Sequence, residues 1–165
     1  MKKFILVFFL NLTFSQPILA QNAFTDACLG TWKGTMYIYS RGTLKDSVSV
    51  RLAVAKTDKP DAWTWKTEYL SAKMPMVKDY ILRVKDASKN IYITDEGDGI
   101  ELVDYLFNNK LYNVFETHNV LLKSTYELRG NELIFEVTSG KKEAPTNQEV
   151  INYPVDNLQR VVFHK

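Results

Sequence analysis

The chain has 165 residues, 45% hydrophobic and 24% charged, with 21 Lys and Arg against 19 Asp and Glu and a single cysteine. The whole cationic surplus is Lys2 and Lys3, and no acidic residue precedes Asp26, so the rest of the chain is formally neutral and a basic nucleic-acid surface loses its premise. One cysteine cannot form an internal disulfide, so a hydrophobic core has to hold the fold unaided.

Lys2 and Lys3 are followed by the apolar run Phe4 to Leu12 and then Pro17-Ile18-Leu19-Ala20. A basic start, an apolar stretch too short to span a bilayer and a small residue after it describe a cleaved export signal. Residues 1–20 are therefore expected to be a signal peptide, with Ser15 as the other cut point, and residues 21–165 one secreted or periplasmic domain large enough to bury a core. Asn11-Leu12-Thr13 is a glycosylation sequon that falls inside this leader. Cys28 reads as a small residue leading into the first strand.

Leu29 to Tyr39 is the first strand, with Trp32, Gly34, Met36 and Ile38 on one face. Gly30 lets the chain turn in tightly while Trp32 folds over an open end of the core. Ser47 to Lys56 presents Val48, Val50, Leu52 and Val54 inward, and Asp58-Lys59-Pro60-Asp61 turns the chain. Trp63, Trp65, Thr67 and Tyr69 share a face of the next strand, and Met74-Pro75-Met76 interrupts pairing because proline cannot donate to a ladder. Tyr80, Leu82 and Val84 alternate beyond it, and Ile91-Tyr92-Ile93 follows after Asp86 to Asn90. Asp95 to Gly99 makes a hairpin turn through Asp-Gly. Ile100 to Phe107 and Leu111 to Thr117 flank Asn108-Asn109-Lys110, with alternation too poor to fix which face is inside. Val120 to Leu128 and Leu133 to Val137 pair through Gly130-Asn131. Ser139 to Asn147 is a polar loop, and Glu149 to Val155 and Leu158 to His164 are the closing strands. About ten short strands in hairpin order predict an all-β, closed, antiparallel up-and-down barrel, with a two-sheet β-sandwich as the alternative.

Gly30-Thr31-Trp32 at the start and Arg160 in the last strand resemble the two ends of the calycin pattern of lipocalins and fatty-acid-binding proteins. In that pattern an arginine from the final strand covers the first-strand tryptophan. The resemblance is closest to bacterial exported lipocalin-like barrels, and it implies that Gly30, Trp32 and Arg160 seal one end. It departs from fatty-acid-binding proteins in having no helix-turn-helix after the first strand. Nitrobindins, haem-binding barrels, share the G-x-W strand and use a C-terminal histidine; here His164 is penultimate and the approach Val155-Asp156-Asn157 has none, so haem is not expected.

Few polar groups converge. His118 reads as a solvated turn residue, and His118 and His164 belong to no metal-spacing motif. No Cys-His pair and no phosphate-cradling glycine loop is present. Asp95, Glu96, Asp98 and Glu101 read as a hairpin tip rather than a Ca²⁺ loop. No metal, cofactor or catalytic residue is assigned. The aromatic set is the better signal: Val50, Leu52, Trp63, Trp65, Tyr69, Tyr80 and Tyr126 would surround a small, mainly hydrophobic, lipid-like ligand, with tyrosine hydroxyls at its polar end. The expectation is a non-enzymatic binding barrel that takes no nucleic acid and has no membrane span after the leader. The rival is a protein-interaction or inhibitor module with a filled core and an outer surface at Tyr37 and Tyr39.

Overall fold

The computed structural model describes residues 19–144 and 150–165. The basic start and apolar run that read as an export signal lie outside these residues. Helix α1 (Leu19–Cys28) leads into ten strands: β1 (Gly30–Ser40), β2 (Thr43–Lys56), β3 (Ala62–Tyr69), β4 (Met76–Asp86), β5 (Ile91–Gly97), β6 (Ile100–Phe107), β7 (Lys110–Thr117), β8 (Val120–Arg129), β9 (Glu132–Lys141) and β10 (Asn157–His164). Each strand pairs antiparallel with its sequence neighbours, and β1 pairs with β10, so the sheet closes into a barrel rather than an open sandwich. Closure removes both edges of a ten-strand meander. Among the described residues no helix is long and apolar enough to cross a membrane.

Two-residue turns account for much of the meander. Arg41-Gly42 between β1 and β2 and His118-Asn119 between β7 and β8 all take positive φ, the twist that suits a tight hairpin. Two glycines mark close approach of backbones. A Cβ at Gly34 would overlap the Val162 carbonyl, and one at Gly140 would overlap the carbonyl of Pro154.

The segment 150–156 corrects one expectation. Glu149 to Val155 reads as a strand, yet residues 151–156 form none. They pass over the end of β9, tied by the Asp156 amide to the Ser139 carbonyl (3.2 Å), by the Glu143 amide to the Asn152 carbonyl (3.0 Å) and by the Tyr153 hydroxyl to Glu116 (2.8 Å). Pro154 brings no donor to a ladder, and the barrel already closes with ten strands.

One end of the barrel is floored by α1, an element the strand pattern does not announce. Phe24, Thr25 and Cys28 are buried beneath the core, with Trp32 above them at 1% exposure. The Trp32 indole N–H donates to the Cys28 carbonyl at 2.7 Å, which fixes the ring across the opening. Trp32 is thus the plug expected of it, but its cation is not Arg160. That side chain stands on the outer face of β10 beside Glu136 (3.5 Å), because the inward positions of β10 are Gln159, Val161 and Phe163. Lys165 takes the role instead, with its ammonium 4.6 Å from the indole centroid and 3.2 Å from the Ala27 carbonyl. Burial pushes the Cys28 thiol up to about 12, which leaves it a packing residue rather than a nucleophile.

Candidate functional site

The half of the barrel near α1 is filled. Val50, Leu52 and Trp63, expected at a ligand, are buried in the core cluster with Trp32, Met36 and Phe163 and do not line the interior cavity. The barrel does enclose a cavity of about 170 Å³, displaced toward the opposite end. Its lining includes Tyr69 at the end of β3, Lys78 near the start of β4, Glu96 near the end of β5 and Gln159 near the start of β10. Of the expected ligand residues, Trp65, Tyr69, Tyr80 and Tyr126 come together here.

These aromatics make one wall. Tyr126 stacks on Phe135 (4.4 Å between centroids, 26°) and meets Trp65 edge-on (5.2 Å, 84°). Such pairs each contribute about 0.5 to 1.5 kcal/mol beyond burial and hold the rings at fixed angles. Burial pushes the hydroxyls of Tyr69 and Tyr126 above the ordinary tyrosine range; at Tyr80 burial comes first and the neighbouring carboxylate of Glu96 adds to it. All three phenols therefore stay protonated at neutral pH.

The facing wall is polar, and it lies on the two strands whose alternation is hardest to read. Asp104 of β6 and Asn113 of β7 point inward and are buried, while Val103, Tyr105, Phe107 and Val114 stand exposed on the outside. On that outer face Tyr105 stacks on Phe107 (6.0 Å), and Phe107 meets the Tyr112 ring edge-on (5.9 Å). The inward faces of these strands otherwise carry Leu102, Leu106, Leu111 and Phe115, so one polar residue interrupts each, while the outward faces carry several aromatic and aliphatic side chains. Asp104 was legible only as the carboxylate that breaks the pattern, and Asn113 as its counterpart across the hairpin.

Here the sheet itself is thin. β6 and β7 pair only at Tyr105–Tyr112, Leu106–Leu111 and Phe107–Lys110, next to their turn, whereas β7 pairs with β8 along its whole length. Beyond Tyr105 and Tyr112 the ladder stops. The Asn113 side chain reaches across this seam, its amide N–H donating to the Val103 carbonyl at 3.3 Å. The other end of the same amide, Oδ1, is buried and has no hydrogen-bond partner, whereas the Trp65 indole N–H points toward the Tyr126 hydroxyl. A buried polar atom left without a partner typically costs about 1 to 3 kcal/mol, so the cavity carries a free acceptor at a cost to the fold.

Asp104 is the cavity carboxyl that departs furthest from its ordinary behaviour. Burial raises its carboxyl to about 6, against a hydrogen bond from the Thr94 hydroxyl (2.8 Å to Oδ2) that lowers it. Desolvation outweighs the hydrogen bond, as expected for a carboxylate with no cation against it. Glu96, Lys78, Tyr69 and Tyr80 face the same space.

The remaining charged residues do not gather. Asp95 accepts from the Gly97 amide (2.9 Å) and Glu101 pairs with Arg83 (2.6 Å), so of the hairpin-tip carboxylates it is Glu96 that reaches the cavity. His118 lies exposed in its turn beside the Thr117 hydroxyl (2.9 Å). His164 lies on the outside, 3.9 Å from Glu132. Among the described residues no three His, Cys, Asp or Glu side chains converge as metal ligands.

No protein-family model and no curated protein matches the chain. Solved structures do. The S-type phycobiliprotein lyase CPES from Guillardia theta superposes with a TM-score of 0.64 over 89% of this chain and 93% of its own, at 5% identity. Rv2717c from M. tuberculosis gives a TM-score of 0.53 over 89% of this chain and 98% of its own, at 16% identity. At such identities the likeness is one of fold, and the fold is the calycin, lipocalin-like barrel.

Proposed function

We propose that this barrel binds a small organic molecule in the cavity between the Trp65–Tyr126–Phe135 wall and the Asp104–Asn113 wall. The observation that carries the reading is the buried, unpartnered amide oxygen of Asn113, which faces an interior cavity walled by aromatic rings. A filled core would have favoured an interaction module; a cavity holding a free buried acceptor favours a ligand that supplies the missing donor. About 170 Å³ is below the 300 to 1,000 Å³ usual for drug-sized ligands, so the bound part is small or the ligand extends through the open end.

The ligand is mainly apolar in its body, matching Leu102, Phe115, Leu122, Phe135 and Val137, and polar at the end that meets Asp104 and Asn113. Its seat is not the Val50, Leu52 and Trp63 region, which is packed. We also propose export, on the basic start and apolar run of residues 2–12; intact mass of the protein recovered from its own host would show whether the chain begins near Gln21.

Native mass spectrometry of that sample, then the same sample denatured, tests the binding reading. A discrete mass lost on denaturation supports it, and fluorescence titration of Trp65 with the recovered compound would give its affinity. An apo mass, with no quenching across a library of small aromatics, would overturn it. A second reading, catalysis on the bound molecule, is favoured by one observation: Asp104 sits in the cavity with a carboxyl near 6, in the range useful for proton transfer at neutral pH, in a fold that a phycobiliprotein lyase shares. Conversion of the recovered compound by the protein, abolished in Asp104→Asn, would select it.

A further inference from the structure

Resting on that binding site, the layout of its polar wall specifies the ligand's polar end. Asn113 Oδ1 is an acceptor with no donor. Asp104 receives the Thr94 hydroxyl on Oδ2, the Thr94 backbone and the Asn113 side-chain amide, and an ionised carboxylate has about four acceptor positions, so one is left over. Glu96 and Lys78, of opposite sign, also line the cavity, and both lie near the open end, Glu96 beside the Tyr80 hydroxyl and the Lys78 ammonium over the Tyr80 ring at 5.6 Å. The Asp104–Asn113 edge of the cavity thus carries a carboxyl and a free amide oxygen with no cation against them, and the Trp65, Tyr126 and Phe135 rings face the same space. An incoming carboxylate or phosphate would meet like charge and unfilled acceptors there. A protonated nitrogen would find complementary charge, the free amide oxygen and the aromatic rings together.

We infer that the Asp104–Asn113 edge of the cavity receives a cationic, multiply donating nitrogen, an organic ammonium or amidinium carried on a flat aromatic body. The rings of Trp65, Tyr126 and Phe135 hold the body, and the nitrogen sits at the β6–β7 seam.

The test is calorimetric titration of the full mature protein with three probes of one shape: phenethylamine, its neutral analogue 2-phenylethanol and its acidic analogue phenylacetate. At pH 7.5 the amine is expected to bind at least tenfold more tightly than the alcohol, and the acid most weakly. Asp104→Asn should bring the amine down to the level of the alcohol. The unsubstituted protein supplies an arm that needs no variant: with a carboxyl near 6, lowering the pH from 7.5 to 5 should weaken amine binding by about tenfold and leave the alcohol unaffected. Glu96 faces the same space, so Glu96→Gln is titrated alongside, and the pH effect should persist in it. Lys78, Tyr69 and Tyr80 also face the cavity, and the two phenols, raised above the ordinary tyrosine range, keep their protons over this range. Acid binding as tight as amine binding, or an amine affinity unchanged in Asp104→Asn, overturns the inference. Amine and alcohol binding equally well would end it while sparing the small-molecule site. Failure of all three probes at millimolar concentration would count against both.

Discussion

Asp104→Asn should make the protein more stable, and only over part of the pH range. The carboxyl lies near 6 in the folded barrel against 3.8 for an unperturbed aspartate. Because the folded-state value is the raised one, the folded protein holds its proton more tightly than the unfolded chain does. Below about pH 4 both states are protonated and Asp104 has no net effect. As pH rises toward 6 the unfolded chain ionises first and stability falls; above 6 the loss is complete. Two pKa units correspond to about 3 kcal/mol. Asparagine keeps an acceptor oxygen for the Thr94 hydroxyl without the charge. The expected gain is therefore about 1 to 3 kcal/mol at pH 7.5 and about zero at pH 4. Urea denaturation at pH 4, 5, 6 and 7.5 reads it directly, since a gain of this size moves the midpoint by about 1 M. An equal shift at pH 4 and 7.5, or a loss at 7.5, would refute the view that a desolvated carboxylate at this position strains the fold. Stability gained with binding lost would mark Asp104 as retained for function.

The floor of the barrel gives further checks. Trp32→Ala removes a fully buried plug that also caps the Cys28 carbonyl and should cost about 3 to 5 kcal/mol in thermal or urea unfolding. Lys165→Ala, which removes only a solvent-exposed cation from the same ring, should cost less than about 1 kcal/mol. Gly34→Ala forces β1 away from the Val162 carbonyl and should cost about 1 to 3 kcal/mol, whereas Gly42→Ala, with open space around its Cα, should lose only the turn's preference for glycine. The Cys28 thiol, raised to about 12, should be silent to a thiol reagent at pH 8 in the native protein and react fully in denaturant.

Much of the barrel was legible because its strands obey one rule. Where Val48, Val50, Leu52 and Val54 alternate with polar residues, or Trp63, Trp65, Thr67 and Tyr69 do, the inner face follows from period two alone. The aromatic wall of the cavity was legible for the same reason. The opposite wall was not, because β6 and β7 carry large apolar residues on both faces, Leu102, Leu106, Leu111 and Phe115 inside and Val103, Tyr105, Phe107 and Val114 outside, and place Asp104 and Asn113 among the inner set, so the period no longer separates the faces. Local rules tend to fail at sites with a task, and here the failure falls on Asp104 and Asn113. Helix α1 was not legible because it is short and begins at Leu19, inside the segment that reads as an export signal, with nothing in Phe24, Thr25 or Cys28 to distinguish a plug from a linker. The exchange of Arg160 for Lys165 turns on register: β10 pairs Arg160 with Tyr37 and Glu136, both looking outward. A motif cannot see that.

The closure of β1 against β10 has a consequence for how the molecule is made. Lys33 pairs with His164 and Tyr37 with Arg160, so the ladder that completes the ring joins the two extremes of the described chain. The same final strand brings Lys165 to Trp32 and Ala27. Nine of the ten strand pairings join sequence neighbours, but this last pairing must gather all ten strands, which places folding toward the slow end of the range for domains of this size. Synthesis from the N-terminus presents Trp32 and Phe24 early and their cover last. Until the final residues emerge the interior is an open trough, and its apolar floor is surface that a holding chaperone would recognise.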